Sequence, residues 1–101
     1  MLKKMLEQMY QDAHLRGQIP QKRRLQRGLH ISLTCHLQGV TLIISRDDKY
    51  PSAQEWTTVI NAFPYYTGKS DPVQIIDNDR RFALRAELPT RQKVAEQMKF
   101  A

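Results

Sequence analysis

The sequence predicts a single α+β domain with the element order α-ββ-α-ββ-α, in which four antiparallel strands form one sheet and the helices pack on one face of it. Three observations support this prediction. Three segments have apolar residues at helical spacing, two pairs of segments have apolar residues at alternate positions, and a short turn separates the members of each pair. The chain of 101 residues, 41% of them hydrophobic, has the size of one folded core.

The first element is an amphipathic helix in residues 1–17, which ends near Gly17 and Pro20. Its apolar residues lie on one side: Leu2, Met5, Leu6, Met9 and Ala13. Residues 18–28 are polar and basic and contain proline and glycine, so we expect a basic linker there. A compact α+β unit in residues 29–101 makes up the rest of the single domain.

The first predicted hairpin joins residues 29–37 to residues 40–46 through a turn at Gln38-Gly39. Both strands have apolar residues at every second position, which is typical of a strand with one buried face. A two-residue loop pairs apolar residues at each inner position: Leu37 with Val40, Cys35 with Leu42, and Leu33 with Ile44. A shift of one residue would separate these pairs, so the pattern favours this register.

The second helix follows Pro51 and begins at a capping box formed by Ser52 and Glu55. Its apolar residues have helical spacing: Trp56, Val59, Ile60 and Phe63. Pro64 ends this helix, and residues 65–71 form a loop.

The second predicted hairpin joins residues 73–77 to residues 80–88 through a turn at Asn78-Asp79. This turn again pairs apolar residues: Ile75 with Phe82, and Val73 with Leu84. A short last helix begins at residues 89–90 and contains Val94, Ala95 and Met98.

The charge of the chain is concentrated near its start. The net charge is +6, and residues 1–28 hold seven basic and two acidic groups, whereas residues 29–101 hold nine basic and eight acidic groups. This asymmetry indicates a basic segment that contacts a polyanion. The alternative is a solvated basic segment that only improves solubility.

A non-enzymatic, nucleic-acid-associated protein is the leading functional hypothesis. The basic N-terminal arm provides phosphate contacts through Lys22, Arg23, Arg24 and Arg27, and the outer face of the sheet adds a second patch through Arg81 and Arg85. That face lacks the aromatic side chains that stack on bases, so we expect binding to tolerate any sequence and to weaken steeply with salt. The pattern does not distinguish DNA from RNA.

A protein-interaction subunit is the alternative hypothesis. The apolar stripe of the first helix would then dock on a partner or form a homodimer, through Leu2, Met5, Leu6 and Met9. An edge of the sheet would serve the same purpose.

Residues with catalytic or metal-binding chemistry are few and scattered, so we expect no enzyme, cofactor or metal. Cys35 is the one cysteine and alternates with leucines, which is typical of a core residue. His30 and His36 lie on one strand face about 20 Å apart, too far to share a metal ion. The predicted register also places His30 opposite Asp47, which would raise the pKa of the histidine.

The expected location is the cytoplasm. A chain with one cysteine forms no internal disulfide and suits a reducing compartment. No apolar run approaches the roughly 20 residues that cross a bilayer, so we expect no membrane partner.

Overall fold

The computed structural model describes residues 1–37, 39–63 and 71–88. Two helices, five strands and one 3₁₀ turn lie in these ranges: α1 Leu2–Arg16, β1 Gln21–Arg24, the 3₁₀ turn Gln26–Gly28, β2 His30–His36, β3 Gly39–Arg46, α2 Ala53–Ala62, β4 Val73–Ile76 and β5 Phe82–Leu88. Three predicted features lie outside the described residues. They are the loop at residues 65–70, the helix end at Pro64, and the last helix with Met98.

The strands form one antiparallel sheet in the order β1-β2-β3-β5-β4. The α+β class is therefore confirmed, whereas the predicted number of four strands is wrong. Residues Gln21–Arg24 belong to the predicted basic linker, but in the structure they pair with β2 at four positions and form an edge strand. An edge strand needs only one partner and no buried face, so its polar composition does not prevent pairing.

The β2–β3 hairpin is shifted by two residues from its predicted register. Cys35 pairs with Val40, Leu33 with Leu42, and Ile31 with Ile44. His36 pairs with Gly39 at the end of the hairpin, Leu37 is 103% exposed, and Gln38 lies outside the described residues. A shift of two keeps every apolar residue on the same face, because side chains alternate with a period of two. Matching apolar pairs therefore could not distinguish the two registers.

The β4–β5 hairpin differs from the prediction by one residue. Its loop contains three residues, 78–80, and Arg80 has a φ of 61°. A left-handed residue in the third position is typical of three-residue hairpin loops. The carboxylate of Asp77 stabilises this turn by accepting hydrogen bonds of 2.9 Å from the backbone N–H groups of Asp79 and Arg81.

This shift of one residue reverses the two faces of β4. Ile76 lies opposite Phe82, and Ile75 lies opposite Ala83. Val73 and Ile75 therefore share the face of Ala83, away from the helices, instead of the predicted inner face. Val73 and Ile76 are 62% and 55% exposed.

Both helices contribute to one hydrophobic core on the inner face of the sheet, which is the face that α1 and α2 cover. The apolar stripe of α1 is part of this core, and Leu6, Met9 and Ala13 are completely buried. Burial of one such leucine or methionine side chain contributes about 1.5–3 kcal/mol. None of the helices in the described ranges is long and apolar enough to span a membrane.

The predicted capping box of α2 is confirmed. The hydroxyl of Ser52 accepts a hydrogen bond of 3.1 Å from the Glu55 N–H, and Glu55 Oε1 accepts one of 3.0 Å from the Ser52 N–H. These bonds satisfy backbone donors that have no partner inside the helix. The cap positions α2 so that Trp56 and Val59 are buried against the sheet.

Candidate functional site

The outer face of the sheet, opposite the helices, forms a groove with a volume of about 640 Å³. Its floor consists of side chains from alternate positions of β2 and β3, namely Ser32, Thr34, Thr41, Ile43 and Ser45. Thr41 and Ser45 are only 7% and 3% exposed. The floor is therefore recessed, and four of its five side chains end in a hydroxyl group, which can act as a hydrogen-bond donor or acceptor.

The β4–β5 turn reaches across this groove. Lys22 Nζ in β1 lies 3.3 Å from Asp79 Oδ2 in the turn, although β1 and β4 are the two outermost strands of the sheet. Arg81 Nη1 lies 3.3 Å from the same carboxylate oxygen. One end of the groove is therefore bordered by side chains that are far apart in the sequence.

Four cationic side chains border the groove from two strands and one turn. Lys22 and Arg24 are alternate residues of β1 and lie on the outer face at one edge of the sheet. Arg81 and Arg85, in and just before β5, border the groove from the opposite side of the same face. Two acidic residues, Asp77 and Asp79, also line the groove, so the cations are in excess. This excess of positive charge attracts anions.

The structure divides the predicted basic cluster of residues 22–27. Lys22 and Arg24 face the groove, whereas Arg23 Nη2 lies 3.9 Å from Asp12 Oδ2 in α1. Arg27 lies in the 3₁₀ turn, where its carbonyl accepts a hydrogen bond from Arg46 Nη1. Side chains of neighbouring strand residues point to opposite faces, which separates charges that are adjacent in the sequence.

Acidic residues partly neutralise the groove cations. Arg81 Nε donates a bond of 2.8 Å to Asp47 Oδ1, and Arg85 Nη2 lies 2.5 Å from Glu87 Oε1. In the part of the chain that the structure describes, Arg24 has no carboxylate partner. Exposed ion pairs contribute only about 0–1 kcal/mol, so an incoming phosphate can replace these carboxylates.

A hydrogen-bonded chain occupies the far end of the groove. Thr41 Oγ1 donates a bond of 2.6 Å to Glu87 Oε2, and His36 Nε2 lies 2.7 Å from the same hydroxyl oxygen. The hydroxyl has one proton and gives it to Glu87, so His36 must donate from Nε2. A nucleophilic hydroxyl needs the opposite direction, with the histidine accepting its proton. This arrangement is suited to holding His36 in place and not to activating Thr41.

His30 lies at the other end, and its surroundings differ from the prediction. The two-residue shift places it opposite Ser45 instead of Asp47. Burial, followed by the charge of Arg81, lowers the pKa of His30, and the opposing effect of Asp47 is smaller. The predicted rise in this pKa is therefore wrong, because burial and the nearby guanidinium groups both disfavour the protonated imidazole.

Other residues with reactive side chains are structural. Cys35 is 8% exposed, its Sγ lies 3.9 Å from the Tyr10 carbonyl oxygen, and burial raises its pKa, as expected for a core thiol. Within residues 1–37, 39–63 and 71–88, no three His, Cys, Asp or Glu side chains form a group that could hold a metal ion.

The apolar stripe proposed as a docking surface lies inside the fold. Leu6 and Met9 are completely buried, and Leu2 and Met5 are partly buried against the same core. Docking on a partner through this stripe would require α1 to leave the sheet. The predicted basic residues, in contrast, remain on the surface.

The sequence did not indicate the ion pair between Arg46 and Glu55. Arg46 Nε lies 3.1 and 3.0 Å from the two oxygens of Glu55, and Nη2 also contacts Oε2. The signal that could have identified it is a charged residue at an inward position of β3, next to a helix cap that contains a carboxylate.

Comparisons of the chain with protein-family models, with curated proteins and with solved structures found no match. The geometry and charge of the groove are therefore the basis for a functional proposal.

Proposed function

We propose that the protein binds the phosphate backbone of a nucleic acid in the groove on the outer face of the sheet, with little dependence on base sequence. The observation that supports this proposal is the position of four cations around one hydroxyl-lined groove. Lys22 and Arg24 border it from β1, and Arg81 and Arg85 border it from the opposite side. Cationic grooves of this kind follow a sugar-phosphate backbone in many nucleic-acid-binding proteins.

The composition of the floor supports backbone contacts in preference to base recognition. Hydroxyl groups from Ser32 and Thr34, which are partly exposed, can donate to phosphate oxygens. Aromatic side chains, which stack on bases, are absent from the residues that line the groove in the described part of the chain, apart from the imidazoles of His30 and His36. The protein should therefore bind oligonucleotides of different sequence with similar affinity.

The first experiment measures the affinity for labelled single- and double-stranded oligonucleotides by fluorescence anisotropy. Four phosphate contacts on a single strand predict a slope of about −3 in a plot of log K against log salt, or about a 50-fold loss between about 50 and 200 mM salt. An affinity that is independent of salt would contradict the proposal.

Arg24→Gln tests the groove itself, because Arg24 has no carboxylate partner among the described residues. We expect a loss of affinity of about fivefold, equivalent to about 1 kcal/mol, and a salt slope smaller by about 0.7. Arg16→Gln, at the end of α1 and outside the groove, is the matched control because it removes the same charge. Equal losses in the two variants would indicate that only net charge matters and would reject the groove as the binding surface.

A further inference from the structure

One end of the groove brings three groups together that suit a single phosphate. The three groups are the side chains of Arg24, His30 and Arg81. Arg24 in β1 lies directly opposite His30 in β2, and Ser45 in β3 lies directly opposite His30 on the other side. Residues that are directly opposite in an antiparallel pair have Cβ atoms about 4.5–5.5 Å apart. Arg81 borders the same end of the groove and interacts electrostatically with His30.

Charged groups face His30 from every neighbouring element. Arg24 comes from β1, Asp47 follows β3, Asp77 follows β4, and Arg81 precedes β5. Both carboxylates have other partners. Asp47 binds Arg81 Nε at 2.8 Å, and Asp77 accepts two backbone N–H groups of its own turn.

The imidazole of His30 has no hydrogen-bond partner within the described ranges. Burial and the two guanidinium groups lower its pKa, so the ring is neutral at pH 7 in the unliganded protein. A neutral ring beside two guanidinium groups has a donor N–H that can reach an anion in the groove.

We propose that Arg24, His30 and Arg81 form a subsite for one phosphate group of the bound strand, and that His30 takes up a proton when this phosphate binds. The subsite rests on the function proposed above, since it assigns one phosphate to one end of the groove. The negative charge of the phosphate offsets the field of the two guanidinium groups, which makes the imidazolium form favourable. The protonated ring then donates a charge-assisted hydrogen bond to a phosphate oxygen.

Proton uptake on binding makes the affinity depend on pH with a definite sign. In the free protein, His30 is neutral at any pH above its lowered pKa. In the complex, its pKa is higher, and the ring stays protonated up to that value. The affinity therefore increases as the pH falls between these two values, by at most about tenfold per pH unit for one proton. Outside this interval the affinity is constant.

The probe must not itself titrate in the range of the measurement. An oligothymidylate with free terminal hydroxyls meets this condition, because neither its phosphodiesters nor its bases change charge between weakly acidic and neutral pH. We expect the protein to bind it at least threefold more tightly at about pH 5.5 than at about pH 7.5. His30→Gln should remove this dependence, and His14→Gln, which changes a histidine of α1 outside the groove, should retain it.

Proton NMR of the three histidine rings measures the same effect directly. Saturating oligothymidylate should raise the pKa of His30 and leave the ring signals of His14, measured at one pH, unchanged. Sulfate, a tetrahedral anion that stays fully charged in this range, provides a second arm that does not depend on nucleic acid. It should raise the pKa of His30 in the wild type and have a smaller effect in Arg24→Gln.

The outcomes separate the two proposals. The subsite would be overturned if oligonucleotide binding had the same pH dependence in the wild type and in His30→Gln and the His30 pKa did not change on binding. The groove proposal would remain in that case. Absence of oligonucleotide binding at low salt would overturn the proposed function. The sulfate arm then decides the subsite alone: a raised His30 pKa supports it, and an unchanged pKa overturns it.

Discussion

Glu55 receives more hydrogen bonds than any other carboxylate in the described fold. It receives hydrogen bonds from the guanidinium of Arg46 and from the backbone N–H of Ser52, and so links β3 to the start of α2. The bonds from Arg46 lower the pKa of Glu55 to about 2, while burial acts in the opposite direction. The same contacts raise the pKa of Arg46. The pair is partly exposed, with 15% and 25% of its side-chain surfaces accessible.

The lowered pKa predicts a definite change of stability with pH. The folded pKa of about 2 lies below the ordinary value of 4.5, so the stabilisation is complete above 4.5 and is lost as the pH falls towards 2. With an allowance for solvent screening, we expect Glu55→Gln to lower the free energy of unfolding by about 2 kcal/mol at pH 7. At about pH 3 the difference should be less than half as large.

Urea unfolding of both proteins at these two pH values checks this prediction. Glutamine retains the hydrogen-bonding geometry of the capping box, so the difference reports mainly on the charge. Glu7→Gln, which changes a carboxylate of α1 without an ion pair among the described residues, is the control. A difference that does not change between the two pH values would contradict the role of the ion pair.

At the scale of elements, the turns set the registers. The β2–β3 hairpin was predicted two residues away from its observed register, and the β4–β5 hairpin one residue away. The first difference preserved the faces of both strands, and it left Leu37, which was predicted to pair with Val40, exposed. The second reversed β4, because side chains alternate along a strand, and moved Val73 from the predicted inner face to the outer face, where it is 62% exposed. The length of the β4–β5 turn, three residues instead of two, therefore accounts for the largest difference between the predicted and the observed sheet.

Arg80 provides a test of the three-residue turn. Its φ of 61° is a conformation that costs an L residue about 1 kcal/mol and costs glycine little. We expect Arg80→Gly to raise the free energy of unfolding by about 0.5–1 kcal/mol, and urea unfolding measures this. Arg80→Ala removes the same charge but keeps a Cβ atom, so it should give no such increase. If alanine stabilised the protein as much as glycine, the effect would come from charge and not from the backbone.

At the scale of the whole molecule, the groove depends on contacts between distant parts of the chain. Asp79 of the β4–β5 turn binds Lys22 of β1 and Arg81 near β5, with distances of 3.3 Å to each. The Asp79 carboxylate thus lies between Lys22 and Arg81, two of the side chains proposed to bind phosphate, where a bound anion would lie. An incoming phosphate must displace it or share its cations.

Asp79→Asn should therefore strengthen oligonucleotide binding. Removal of the competing carboxylate frees Lys22 and leaves Arg81 with Asp47 as its one carboxylate partner among the described residues. We expect the affinity at low salt to rise about threefold to fivefold. The backbone N–H of Asp79, which bonds to Asp77, is unaffected by the substitution. Asp48→Asn gives the same change in net charge outside the groove and should have a much smaller effect. Anisotropy titrations of the two variants provide the comparison, and equal gains would argue against a specific site.

Local patterns in the sequence were sufficient to predict the α+β class, both described helices, the capping box and the inner face of the central hairpin. Each of these depends on the period of apolar residues or on hydrogen bonds between near neighbours, as at Ser52 and Glu55. The buried position of Cys35 followed from the same alternation.

Tertiary structure alone decided the fifth strand, the length of the second turn and the composition of the groove. Polar β1 forms because β2 provides a partner, and no property of Gln21–Arg24 by itself indicates this. The groove combines Lys22 and Arg24 with Arg81 and Arg85, about 60 residues away, while Arg23 faces α1. The sequence determined which residues are cationic. Strand pairing and side-chain alternation determined which of these cations share a surface, because these depend on contacts between segments that are distant in the chain.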